Sequence, residues 1–178
     1  MMRPLFVLPL AGFALLLLLF AAGLYTQLSG SRQPDQLPSM LVGQLPPDRP
    51  LPGLNAEPPR RLLDASRGDW LLVNFFASWC APCRAEAPAL ASLSEKMTII
   101  GIAYKDKPLD TQKFLNQFGN PYRRIGVDLD GKAGLDWAIY GVPESFLLAP
   151  DGRVVLRHAG PVDRALLEDI EARLETGR

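Results

Sequence analysis

Hydrophobic and polar residues change pattern twice along this chain. From Leu5 to Leu24, twenty residues run without a charge, broken only by Pro9, Gly12 and Gly23. A helix of that length measures about 30 Å at about 1.5 Å per residue, the thickness of a bilayer's hydrocarbon core. The apolar pattern then lapses, with eight prolines between Pro34 and Pro59. Proline fixes φ and removes a hydrogen-bond donor, so this stretch predicts neither a regular helix nor a central strand. Beyond it, short apolar runs alternate with amphipathic ones.

The runs Trp70–Phe76 and Thr98–Ala103 are of the kind that a strand covered on both faces requires. Helical spacing predicts a helix over Arg84–Lys96, with Pro88 bending it, and another over Asp110–Phe118, stopped by Gly119-Asn120-Pro121. A short strand at Ile125–Val127 and a short helix at Ala133–Tyr140 follow. Ser145–Leu148 and Arg153–His158 flank Pro150-Asp151-Gly152, a hairpin signal. Asp163 is the expected N-cap of a last amphipathic helix through Leu166, Leu167, Ile170 and Leu174. This order predicts α/β architecture, a central mixed sheet with helices on both faces. The expected organisation is a membrane anchor with a short cytoplasmic end at 1–28, a periplasmic spacer at 29–40 and one folded domain at 41–178. The run Leu41-Val42-Gly43-Gln44-Leu45 is expected to pack on that domain as an irregular extension.

Charge narrows the setting. The 178 residues carry 19 basic and 19 acidic side chains, which suggests no nucleic-acid partner. Arg3 precedes the apolar stretch and no cation follows it until Arg32. The positive-inside rule therefore leaves the N-terminus in the cytoplasm and carries everything after Tyr25 across the membrane, most simply into a bacterial periplasm. A cleaved signal peptide ending near Ala21-Ala22-Gly23 competes, but such apolar regions usually run only ~7 to 15 residues.

Two cysteines and one histidine bound the chemistry, excluding a multi-disulfide scaffold and a His-rich metal site. The cysteines form one motif, Trp79-Cys80-Ala81-Pro82-Cys83, where a central strand gives way to a helix. A helix N-terminus stabilises a thiolate through its unpaired N–H groups and positive dipole end. Cys80 is thus the expected attacking sulfur. Cys83, one turn on and more shielded, is the expected resolving one, with Pro82 tolerated in the first turn. A structural disulfide closing so short a loop removes little unfolded-state entropy, and zinc normally takes four ligands, so redox chemistry leads. Asp128-Leu129-Asp130-Gly131 reads as a turn rather than a calcium loop. His158 as a copper ligand with the cysteines is a weak reading, and Trp137 and Tyr140 read as core or groove wall.

The WCxxC motif, with Gly141-Val142-Pro143 ahead of a hairpin, resembles the thioredoxin fold over roughly Leu41 to Arg178. The chain resembles more closely the membrane-anchored CcmG/DsbE thiol:disulfide interchange proteins of cytochrome c maturation. The shared residues are Trp79 to Glu86, Tyr104-Lys105-Asp106, Gly119-Asn120-Pro121-Tyr122, Tyr140-Gly141-Val142-Pro143-Glu144 and His158-Ala159-Gly160. The resemblance implies a cis Val142–Pro143 bond facing the cysteines, with Val142 backbone groups pairing with an extended substrate. Asn74 stands where thioredoxins place a buried Asp. Glu86, three residues after Cys83 on the same helical face, is the candidate to replace it as proton acceptor. The resemblance also places Glu144 near the sulfurs. It implies a reductant of apocytochrome c or of a CcmH-type chaperone, reset by a DsbD- or CcdA-type membrane donor. No cofactor is expected beyond a redox-active Cys80–Cys83 disulfide. A general periplasmic oxidoreductase and a metal-binding module are the alternatives.

Overall fold

In a computed structural model of the chain, residues 4–29, 40–66 and 68–177 are described, with side chains in the first helix described at Leu10 and over 12–25. The short end before residue 4 and most of the 29–40 spacer lie outside the described residues. The chain divides into two compact units, Met1–Gln36 and Leu37–Arg178. Helix α1, Pro4–Ser29, follows the apolar stretch. Among the described residues no helix is long and apolar enough to cross a membrane.

The second unit is built on β1 (Leu71–Phe76), β2 (Thr98–Tyr104), β3 (Arg124–Asp128), β4 (Glu144–Leu148) and β5 (Val154–Ala159), interleaved with α2 (Ala81–Ser94), α3 (Pro108–Phe118), α4 (Lys132–Asp136) and α5 (Arg164–Thr176). The five strands lie in the order β3-β2-β1-β4-β5. Strand β1 is central, parallel to β2 and antiparallel to β4. Every β1 residue is buried, as expected for a strand covered on both faces.

Side chains alternate across a strand, so β1 feeds two separate core layers. Leu72 and Phe76 meet Leu90 and Leu93 of α2, Phe114 and Leu115 of α3, and Leu166 and Ile170 of α5. Leu71, Val73 and Phe75 meet Trp137, Ala133 of α4, and Leu51 and Leu62 of the segment before β1. Asn74 shares the face of Leu72 and Phe76, toward α2. Gly101 on β2 lets this layer close, because a Cβ there would lie 2.8 Å from Tyr122 Cγ and 2.9 Å from Phe76 Cε1.

Asp163 caps α5 as expected, accepting from the Leu166 N–H at 2.9 Å. Helix α2 begins three positions before its expected start and takes in the motif, because Cys80 itself is the N-cap. The expected 133–140 helix is cut to Lys132–Asp136. Trp137 turns into the core, 4.9 Å from the Phe146 ring and 5.6 Å from Phe75, and Ala138 adopts φ 50°, which a helix cannot continue through.

The extension packs on the domain as expected and meets both outer strands. Gly43 N–H donates to Val154 O at 2.8 Å, and Val154 N–H returns a bond to Gln44 O at 3.0 Å. On the opposite edge Gly53 bridges Gly126, and Val127 N–H donates to Pro52 O at 2.8 Å.

Candidate active site

Strand β1 delivers the motif to the C-terminal edge of the sheet, and α2 starts there. Cys80 has extended backbone, φ −86° and ψ 109°, and its sulfur accepts from the Cys83 N–H at 3.1 Å. That places Cys80 Sγ on an otherwise orphaned donor at a helix N-terminus, which favours a thiolate. The cysteines are joined as a disulfide, with Cα atoms 5.4 Å apart. Their exposures are nearly equal, 3% and 2%, so exposure does not set Cys83 apart as expected. The asymmetry is positional: Cys80 caps the helix and Cys83 lies inside it.

The Val142–Pro143 bond is cis, and the Val142 carbonyl oxygen lies 3.5 Å from Cys80 Sγ. The loop before β4 therefore abuts the sulfur at the motif's outer end. Trp79 is 57% exposed, yet its indole N–H donates to Lys105 O at 3.3 Å.

Below Cys83, Glu86 has no solvent exposure. Its oxygens accept from Asn74 Nδ2 at 3.1 Å and from the Val162 N–H at 2.9 Å. Asn74 faces Ser145 across the β1–β4 ladder and also donates to Ser145 Oγ at 3.0 Å, while its Oδ1 accepts from Tyr122 O–H at 2.8 Å. Burial pushes the Glu86 carboxyl up to about 7, against the lowering effect of its two donors. Burial, then the charge of Glu86, drives the Tyr122 phenol well up. The site thus holds a carboxyl that exchanges protons near neutrality, as a general acid or base requires.

Glu144 is placed differently. Strand alternation turns it to the face of Phe146, away from the layer of Glu86. There it accepts from Arg157 Nε at 2.6 Å and from Tyr140 N–H at 2.9 Å. It anchors the loop that carries Val142, and its carboxylate is satisfied by Arg157.

Sequence reasoning assigned no role to Asp106. It is buried and accepts from Ser78 N–H at 2.8 Å, Ser78 Oγ at 2.7 Å, Thr111 Oγ1 at 2.8 Å and Lys107 N–H at 3.1 Å. These bonds tie the approach to Cys80 to the start of α3. Tyr122 and Ser145 also went unassigned. The only sequence signals were the Tyr104-Lys105-Asp106 and Gly119-Asn120-Pro121-Tyr122 strings, and for Ser145 its place beside Pro143. His158, the weak copper candidate, has its Nε2 3.2 Å from Pro161 O.

A disulfide-forming pair at the start of the helix leaving a central strand, facing a cis proline, defines a thiol-disulfide oxidoreductase of thioredoxin-like α/β fold. Residues 41–174 match the Redoxin family model. The chain is 41% identical to thiol:disulfide interchange protein HelX of Rhodobacter capsulatus, over 96% of its own length and 92% of that protein's. It is 37% identical to thiol:disulfide interchange protein DsbE of Pseudomonas aeruginosa, covering 92% and 88% of the two chains. Among solved structures, a DsbE-type chain from Chlorobium tepidum superposes with TM-score 0.62 at 29% identity, over 74% of this chain and 93% of that one. This chain belongs to the redoxin family and, within it, to the thiol:disulfide interchange proteins of the HelX, CycY and DsbE type.

Proposed function

We propose that this oxidoreductase works as a reductant, anchored in a bacterial inner membrane by the Leu5–Leu24 stretch with its domain in the periplasm, and that it opens a disulfide during cytochrome c maturation. The observation that carries the redox reading is the Cys83 N–H aimed at Cys80 Sγ from 3.1 Å. The Cys80 thiolate attacks one sulfur of the partner's disulfide. A Cys80–partner S–S bond forms as the partner's own bond breaks, and the released sulfur takes a proton. Cys83 then gives its proton to Glu86 and attacks Cys80 Sγ. The intramolecular disulfide forms, the mixed one breaks, and the partner departs with two electrons gained. Glu86 suits this step because a carboxyl titrating at about 7 both accepts and releases a proton under working conditions.

The reductive direction is supported by Ala81 and Pro82, which put no cation between the sulfurs. Strong thiolate stabilisation is what makes an oxidant. The acceptor in this reading is apocytochrome c or a CcmH-type chaperone, and a DsbD- or CcdA-type membrane protein restores the dithiol. Anchoring raises the effective concentration of partners held in the same membrane.

Replacing Cys83 by Ser in the full chain and identifying what stays attached to Cys80 in cells tests the assignment. Cytochrome-maturation components are expected, and a broad set of secreted proteins would instead indicate general disulfide handling. Equilibration with redox buffers is expected to give a potential near about −270 mV, and a value near about −120 mV would reverse the direction.

A further inference from the structure

Tyr140 stands out among the aromatic residues of the domain: it is 62% exposed and yet held in place. Its ring lies over the Arg157 guanidinium at 4.3 Å from the centroid, and its own N–H is fixed on Glu144 Oε2 at 2.9 Å. Arg157 is itself immobilised. Its side chain is 7% exposed, its Nε donates to Glu144 Oε1 at 2.6 Å, and its second guanidinium nitrogen donates to Ala138 O at 3.0 Å. Arg157 pairs with Phe146 across the β4–β5 ladder, so the support comes from the sheet rather than from the loop.

This scaffold surrounds the segment that meets the reactive sulfur. Tyr140 is two residues from Val142, which bounds their Cα separation at about 7 Å, and Val142 O is 3.5 Å from Cys80 Sγ. Trp79, adjacent to Cys80 in the chain, is 57% exposed and pinned through its indole N–H. Two rings that expose apolar surface are thus fixed on the two segments that converge at Cys80. An exposed aromatic ring that is already ordered loses little conformational freedom when a partner covers it, which is why such residues serve as binding anchors.

We propose that Tyr140, held by Arg157 and Glu144, is a substrate-specificity residue that receives an apolar side chain next to the partner's disulfide cysteine, with Trp79, adjacent to Cys80 in the chain, offering a second apolar surface. The inference rests on the reading of the chain as a disulfide reductant and adds the class of segment it prefers, a cysteine flanked by apolar residues. Arg157 acts through Tyr140 and is a positioning residue.

The test uses the reduced full chain and three disulfide probes: oxidised glutathione, a cyclic disulfide peptide with leucines flanking its cysteines, and the same peptide with serines there. The unsubstituted chain is expected to favour the leucine peptide through a lower KM. Tyr140→Ala is expected to raise that KM about tenfold, against a change of about twofold or less for the serine peptide and for glutathione. Tyr140→Phe is expected to behave as the original, and Arg157→Lys, which keeps the charge but loses the flat stacking surface, to fall between. Equal KM for both peptides in the unsubstituted chain, or a Tyr140→Ala chain that discriminates as before, overturns the inference. So does an equal loss against glutathione, which would place the effect at the cysteines. A chain that reduces none of the probes would instead sink the reductant reading itself.

Discussion

Glu86 gives the sharpest quantitative test. Its carboxyl sits at about 7 in the folded chain, raised from 4.5 chiefly by burial. Between those values the folded state holds a proton that the unfolded state has released, so unfolding stability falls as pH rises through this window. Moving one carboxyl from 4.5 to about 7 corresponds to about 3 kcal/mol, present below pH 4.5 and gone above about 7. Glu86→Gln removes this dependence. Glutamine offers one oxygen where the carboxylate offered two, so either Asn74 Nδ2 or the Val162 N–H loses its acceptor, at a cost of about 1 to 3 kcal/mol that does not vary with pH. The quantity to measure is therefore the change in stability between pH 4.5 and pH 8 by equilibrium urea unfolding of the oxidised chain, compared between the two proteins. The original is expected to lose about 3 kcal/mol more than Glu86→Gln over that interval. Parallel curves would refute the argument, because every other titrating group is common to both.

Asp106→Ala leaves the Ser78 and Thr111 donors without their acceptor, and is expected to cost about 3 kcal/mol in urea unfolding; a loss below about 1 kcal/mol would show that the loop before Cys80 is held by other means. Gly101→Ala puts a methyl group 2.8 Å from Tyr122 Cγ and is expected to destabilise by about 1 to 3 kcal/mol. Nuclear magnetic resonance shifts in that variant are expected to centre on the Phe76 and Tyr122 rings, and changes confined to the surface would contradict the packing described.

How much of this was written in the sequence depends on the range of the interactions. The strands and most helices were legible because apolar period and turn residues are local. Helix α4 was misjudged because the residue that ends it, Trp137, is drawn into a layer formed by Phe75 and Phe146 from two other strands. The cysteine pair and its likeness to a known family were plain, being contiguous in the chain. Glu86 was found through helical spacing from Cys83. The network around it was not, since the Val162 N–H and Asn74, with Ser145 and Tyr122 bonded to Asn74 in turn, meet only once strand pairing and register are set. Glu144 was named through the resemblance, as an acid near the sulfurs; what the sequence did not tell is that strand alternation sets it on the opposite face from Glu86, bonded to Arg157.

The segment from Leu41 to Arg60 has a use beyond leading into the fold. An open five-stranded sheet has two outer strands whose free amides and carbonyls invite pairing with a neighbouring molecule. Here one stretch of chain occupies such positions on both, at Val154 at the start of β5 and at Gly126 and Val127 on β3. Under the proposed anchoring, which would confine copies to the plane of one membrane, those occupied positions are closed to rim-to-rim pairing between neighbours.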